Sequence, residues 1–220
     1  MTITRAGLEV ASAVLKPLVR ASLSLLGERA GLRLSGRLRD ELKSTVTVQT
    51  PAGTLKFRSL NHLLLFRAET LLTKEPETIE WINAFEEGSV FWDIGANVGV
   101  YSLYAALKAN CIVLGFEPAA FNYNILNRNI ELNEMDETVT ALCIAFGDST
   151  RLDRFYMSST EEGSALHSFG AATDWPGTPL PAHFRQGMIG LSIDEFVERY
   201  APPVPNYIKI DVDGIEDKII

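Results

Sequence analysis

From residue 89 onward, short apolar runs alternate with longer stretches that repeat at helical spacing. Ser89 to Ile94, Ile112 to Phe116, Thr138 to Ile144 and "PNYIKIDVDG" read as buried strands. Val98 to Ala109 and Ala119 to Asn133 read as helices between them. A short helix is expected over Asp194 to Tyr200, capped by Ser192 or Asp194, and another begins near Ile215. Short buried strands separated by helices of about 10 to 15 residues predict βαβ units and a parallel sheet.

Upstream the pattern differs. Leu8, Ala11, Leu15, Leu18, Ser22 and Leu25 make one helical stripe, widened by Val14, Val19 and Leu26. Pro17 is expected to kink or split that helix. "STVTVQTPAGTLKFRS" reads as a hairpin turning at Pro51-Ala52-Gly53, and residues 62 to 73 and 76 to 86 as helices. In "TKEPET", Pro76 suits a first helical turn, and Glu75 and Glu77 suit its positive end. Residues 158 to 190, rich in proline and glycine, are predicted as one long loop, functional or mobile. The expected organisation is a helical region over 1–44, a hairpin with helices over 45–88, and a core over 89–220.

Charge sharpens that division. Residues 1 to 43 hold eight Lys/Arg and four Asp/Glu, net +4, within a chain of net charge −8. The acidic balance argues against nucleic acid as a partner. Basic residues Arg5, Lys16 and Arg20 lie among the apolar positions of the first helix. Contact with a membrane surface is one reading of that helix; packing on the domain or another subunit is preferred. No apolar run approaches the roughly 18 residues of a span, and no clean signal-peptide core exists, so a cytoplasmic protein is expected. Cys111 and Cys143 sit in apolar contexts and read as buried thiols.

Candidate chemistry begins at "FWDIGANVG", residues 91–99, after the first core strand. In a doubly wound sheet this loop lies at the carboxyl edge, where ligands bind. Gly95 and Gly99 permit a tight turn, and the following helix offers N–H groups to an anion. Dinucleotide enzymes and S-adenosylmethionine (SAM) enzymes share this much. Asp93 separates them: a carboxylate repels a pyrophosphate but suits the cationic part of SAM, directly or through water. Asn97 tolerates left-handed backbone and supplies amide donors and acceptors. Glu117, 24 residues after Asp93, is placed to accept both hydroxyls of a ribose. Asp148, in "AFGDS", is expected near the adenine edge.

"FWDIGANVGVYSL", "GFEPAAFNYNILNRNIELN", "AFGDS" and "YIKIDVDGIE" occur in that order. Together they resemble the FkbM-type SAM-dependent methyltransferases, and "TKEPET" is similar to that family as well. The resemblance covers roughly residues 65 to 220. It implies an α/β fold, a mostly parallel Rossmann-like class I methyltransferase sheet with an N-terminal helical and hairpin extension. It implies SAM as cofactor and O-methylation of a small-molecule or glycan hydroxyl, often on a sugar or secondary metabolite. Asp93, Gly95, Asn97 and Gly99 match its SAM loop, Glu117 its ribose acid and Asp148 its adenine-side acid. A full class I sheet has further strands beyond the one carrying "YIKIDVD", so the chain is expected to be C-terminally truncated, and its activity is in question for that reason.

"KIDVDGIE" supplies a second constellation. Strand alternation puts Lys209, Asp211 and Asp213 nominally on one side, with Glu216 a turn into the next helix. In the family's fold this edge faces the transferred methyl. Asp211 is the first candidate for general base or hydroxyl acceptor, with Lys209 its partner; Asp213 and Glu216 are candidate substrate contacts. A metal-binding reading of Asp211-Val212-Asp213 is disfavoured, and no metal is expected. His167 lies in the long loop, where entry into the site is weighed against a plain packing role. The alternatives kept open are a NAD-type oxidoreductase and a non-catalytic SAM- or nucleotide-binding module.

Overall fold

The computed structural model describes residues 5–42, 44–172, 178–179, 181–212 and 219. The chain divides into two compact units, Met1–Ser44 and Thr45–Ile220. The first holds helices α1 (Arg5–Leu25) and α2 (Glu28–Glu41). Pro17 lies inside α1, which runs on through it, so of the expected kink or split the split does not occur. Proline deletes its own N–H and thus one rung of the ladder; here the turns on either side continue. Gly31 lets α2 approach α1 closely, because a Cβ there would meet the Leu23 carbonyl oxygen at 2.7 Å.

The second unit opens with a hairpin, β1 (Thr45–Thr50) and β2 (Gly53–Arg58), paired from Thr45↔Arg58 to Thr50↔Gly53. Leu55 and Phe57 alternate inward and are fully buried. Helices α3 (His62–Glu69) and α4 (Pro76–Asn83) follow, α4 with Pro76 at its start. Next come β3 (Val90–Ile94), α5 (Val100–Ala109), β4 (Ile112–Phe116), α6 (Ala120–Leu132) and β5 (Val139–Leu142). With β10 (Tyr207–Ile210) these strands form a parallel sheet in the order β10-β3-β4-β5.

The sheet is buried on both faces, as its continuous apolar strands require. Phe91 and Val113 pack with Leu55, Phe57, Leu103 and Tyr104 on one side. Trp92, Leu114 and Phe116 pack with Phe146 and Phe196 on the other. Asparagines of α6 tie the layers together. The Asn133 amide exchanges hydrogen bonds with Lys56 N–H (2.9 Å) and C=O (2.8 Å) on β2. Asn129 accepts from Arg58 N–H (2.8 Å) and donates to the Val98 carbonyl (2.8 Å), linking hairpin to glycine loop.

The predicted long loop over 158–190 is corrected. Strands β6 (Ala145–Phe146), β7 (Arg151–Met157), β8 (His167–Phe169) and β9 (Phe184–Leu191) form a second sheet in the order β6-β9-β7-β8. Both β8 and part of β9 fall inside the span read as loop. Gly187 and Gly190 hide β9 from propensity reasoning, since glycine weakens a strand. Gly190 has a packing reason: a Cβ there would collide with the Phe169 ring on β8. Helix α7 (Ile193–Tyr200) then starts at Ser192, whose hydroxyl accepts from Glu195 N–H at 3.2 Å.

Candidate cofactor site

The loop between β3 and α5 is built on left-handed backbone. Gly95, Asn97 and Gly99 have φ of 83°, 50° and 82°. A side chain at 95 would strike the carbonyl oxygen of Asp211, where β10 leaves the sheet. A short polar side chain tolerates the same conformation at Asn97. The loop amides are committed internally. Gly95 N–H (2.9 Å) and Ala96 N–H (3.0 Å) both donate to the Phe116 carbonyl, and Gly99 N–H to that of Ala96 (2.8 Å). Asn97 N–H donates to Glu117 Oε2 at 2.7 Å. These four loop amides are therefore already engaged; the helix amides expected to meet an anion belong to the first turn of α5.

Glu117 stands at the end of β4, 5% exposed. Its Oε1 accepts from Ala119 N–H at 2.8 Å. Burial pushes its carboxyl up to about 7, while the Ala119 and Asn97 N–H groups, Asn122 and the Arg67 charge pull the other way. The carboxylate, which also takes a hydrogen bond from Asn122, keeps accepting capacity for an incoming donor.

Asp93 does not face the cavity. Alternation along β3 turns it toward α5, where Oδ2 accepts from the Ser102 hydroxyl at 2.6 Å and the residue is 1% exposed. Its Oδ1 has no hydrogen-bond partner and lies 3.7 Å from Lys209 Nζ, its register neighbour on β10. Burial raises the Asp93 carboxyl; Lys209 and Ser102 oppose that shift. Lys209 also donates to Asp211 Oδ2 at 2.9 Å and lies 5.4 Å from the Tyr101 ring centroid. Burial lowers its ammonium, but Asp93 and Asp211 outweigh this and hold it above the ordinary lysine value. The expected pairing of Lys209 with Asp211 is thus present in the geometry, whereas Asp93 acts beneath the loop.

A cavity of about 150 Å³ opens at this carboxyl edge. Gly95, Phe116 and Glu117 line one side, Ile144 to Phe146 another, and Phe155, His167 and Phe169 of the second sheet a third. A smaller cavity of about 30 Å³ adjoins Tyr101 and Lys209, and the two share Arg67, Lys74, Gly95, Asn97 and Asp211. Asp148 is not brought to either. Its Oδ1 accepts from Arg151 at 2.6 Å, and its side chain is 61% exposed. Asp213 and Glu216 lie outside the described residues.

The segment over 162–164, within the span read as functional or mobile, is held by side chains from distant elements. Asn61 donates to the Glu162 carbonyl (3.0 Å) and Arg67 Nε to that of Gly163 (2.5 Å). Asn97 (2.9 Å) and Asn122 (3.1 Å) both donate to the Ser164 carbonyl, and Gly163 N–H returns to Asn122 Oδ1 (2.8 Å). His167 enters the cavity wall. Its Nδ1 accepts from Ser158 N–H at 3.3 Å, which leaves Nε2 as the donor toward Ser164 Oγ at 3.2 Å. Arg67, Lys74, Asn122 and Ser164 were not legible as site residues. The one signal was "TKEPET", which contains Lys74 beside the cavity.

The donor set fits SAM on observations of this structure. Glu117 has lone pairs to spare for a vicinal diol. Asn97 Oδ1 is buried without a partner in a residue lining both cavities, which suits an ammonium. The parallel sheet and carboxyl-edge cavity define a Rossmann-like α/β protein of the class I methyltransferase type. Residues 93–220, more than half of the chain, match the Methyltransferase FkbM domain, and the chain belongs to that family. SAM is the cofactor that goes with this membership.

Two curated relatives agree in class. Hexuronic acid methyltransferase AglP of Haloferax volcanii is 29% identical over 135 residues, 61% of this chain and 50% of that protein. Methyltransferase sdnD of Sordaria araneosa is 45% identical over 51 residues, 23% of this chain and 20% of that protein. The chain thus spans half or less of the length of the relatives it matches. Among solved structures, a SAM-dependent methyltransferase from Agrobacterium tumefaciens superimposes with a TM-score of 0.36 at 13% identity, over 46% of this chain and 33% of that one.

Proposed function

We infer that this domain binds SAM across Glu117 and the glycine loop and serves methyl transfer to a hydroxyl oxygen of a saccharide or secondary metabolite. The observation that carries this reading is the buried Glu117 carboxylate, held by Asn97 and Ala119 N–H groups on the wall of a carboxyl-edge cavity. When bound, SAM supplies an electrophilic methyl group. The chain's own contribution is binding, orientation and proton removal.

Asp211 is assigned the role of base or hydroxyl acceptor. It lines both cavities, and its side chain is 54% exposed, open to an acceptor. Lys209 orients it through the 2.9 Å contact. Asp93 is a positioning residue, holding Lys209 from below and Ser102 on α5. Asp213 and Glu216 remain candidate contacts to the acceptor. A saccharide acceptor is favoured because AglP is named for a hexuronic acid.

The experiment is a transfer assay with methyl-labelled SAM and a panel of uronic acids, neutral saccharides and phenolic hydroxyl compounds. Label appearing on an oxygen of a saccharide supports the reading. SAM binding with no transfer to any acceptor class would favour a binding module instead.

A further inference from the structure

Among the described residues of the first unit, Gly31 alone is buried. Helix α2 meets α1 at that point, against the Leu23 carbonyl, and Leu23 and Leu34 are half-buried. At 3.6 residues per turn, Val10, Val14, Leu15, Leu18, Val19 and Leu25 fill one arc of about half the circumference of α1. All six are exposed, from 45% at Val19 to 88% at Leu25. Leu23 falls just beyond the edge of that arc, so α2 leaves the arc bare. An exposed apolar surface of this extent marks an interaction site. Lys16 and Arg20 lie on the opposite side of α1. On α2, Arg29, Arg33 and Arg37 recur every four residues as one exposed stripe. None of these five cations is in an ion pair with a described residue.

We propose that the α1–α2 hairpin is a docking surface for an anionic lipid bilayer. No helix among the described residues is long and apolar enough to cross a membrane, so the attachment is to the surface. The apolar arc of α1 enters the boundary between headgroups and acyl chains, with α1 lying in the plane of the interface. Lys16 and Arg20, on its polar face, then sit at headgroup level. A helix is about 10 Å across, so the arginine stripe of the adjoining α2 stays within about one Debye length of the phosphates. Charge selects this occupant. Residues 1 to 43 carry net +4 in a chain of net charge −8, and an anionic leaflet attracts each basic residue held near it. A second copy fits less well. A coiled-coil seam is narrower than this arc, and pairing brings two units of net +4 together.

The test is flotation of the full chain with phosphatidylcholine vesicles and with vesicles holding about one phosphatidylglycerol in four lipids. Light scattering and thermal melts are run on the same samples. Wild-type protein floats with the anionic vesicles, stays behind with the neutral ones, and is released as salt is raised. The triple variant Arg29→Gln, Arg33→Gln, Arg37→Gln partitions about a hundredfold less, at roughly fivefold per basic residue. Leu18→Glu lowers partitioning about tenfold or more, because a charge replaces a side chain that enters the lipid. Leu18 is 57% exposed, so its melting point stays at the wild-type value. Equal binding to neutral and anionic vesicles overturns the anionic assignment. A wild-type dimer that ignores both vesicles and becomes a monomer on Leu18→Glu overturns the proposal and assigns the arc to a second copy. A monomer that ignores both vesicles and melts earlier on Leu18→Glu also overturns it, and assigns the arc to packing within the chain. A wild type that ignores both vesicles with neither change overturns it outright.

Discussion

The main-chain N–H of Asn97 donates to the Glu117 carboxylate at 2.7 Å, joining the glycine loop after β3 to the acid at the end of β4. Twenty residues apart in sequence, the two are neighbours because β3 and β4 pair in parallel, with Ile94 beside Phe116. Glu117→Gln keeps the shape but replaces one acceptor oxygen with a donor. It faces either the Asn97 N–H or the Ala119 N–H with the wrong group. SAM affinity is expected to fall by about tenfold or more, at roughly 1.5–3 kcal/mol for a hydrogen bond to a charged group. Calorimetry reads this directly.

The same carboxyl gives a pH signature. Its folded value is pushed up to about 7, above its ordinary 4.5. Below the ordinary value both folded and unfolded chains are protonated here. Between the two values only the folded chain holds the proton, so stability of the ligand-free protein declines as pH rises through that window. SAM hydroxyls donate to the anion, so SAM affinity moves oppositely and strengthens as pH rises through about 7. Thermal melts and titrations across this range check both, and Glu117→Gln flattens both.

Lys209 compensates two acids, of which Asp93 is fully enclosed. Lys209→Met is expected to cost about 3 kcal/mol in denaturant melts, because a buried carboxylate is left without its counter-charge. Burial already raises the Asp93 carboxyl, so the loss shrinks at acidic pH, where Asp93 takes up a proton. The double variant Asp93→Asn with Lys209→Met recovers part of the loss at neutral pH. An additive double variant would refute the coupling.

Gly95→Ala places a Cβ against the Asp211 carbonyl at a φ of 83°. Stability is expected to fall by more than about 1 kcal/mol, with a parallel loss of SAM binding. Asn97→Gly relaxes the backbone but deletes the bond to the Ser164 carbonyl. Its melting point is expected to change less than that of Gly95→Ala.

Asn122 receives Gly163 N–H and donates to the Ser164 carbonyl. Asn122→Ala is expected to release the segment over 162–164, seen as faster amide exchange at Gly163 while the amides of β3 and β4 keep their protection.

The βαβ core was legible because its strands are short and mostly apolar, Asp93 and Lys209 apart, and its helices carry a clear repeat. Strands β3 and β4 lie within a residue of their predicted spans, and β10 falls inside its own. The second sheet was hidden for physical reasons. Strand β7, "RLDRFYM", carries three charges in its first four residues, and β9 contains two glycines, one of them serving the Phe169 ring. In the site, Glu117 and the loop residues were readable because their spacing follows one βαβ unit. Arg67, Lys74, Asn122 and Ser164 meet only through packing of α3, the α3–α4 connection, α6 and the β7–β8 connection, so no local spacing marks them. Asp93 was readable as an acid at the loop but not as one facing α5, which depends on its partner Ser102. Asp148 shows the converse: its place in "AFGDS" pointed to the ligand, while Arg151, three residues on, holds it at the surface.

The most direct measurement is a calorimetric titration of SAM, and separately of NAD, into wild-type protein and Glu117→Ala. The account predicts that SAM binds the wild type, that NAD does not, and that Glu117→Ala loses most of the SAM affinity. Binding of NAD without SAM, or full SAM affinity in Glu117→Ala, would contradict it.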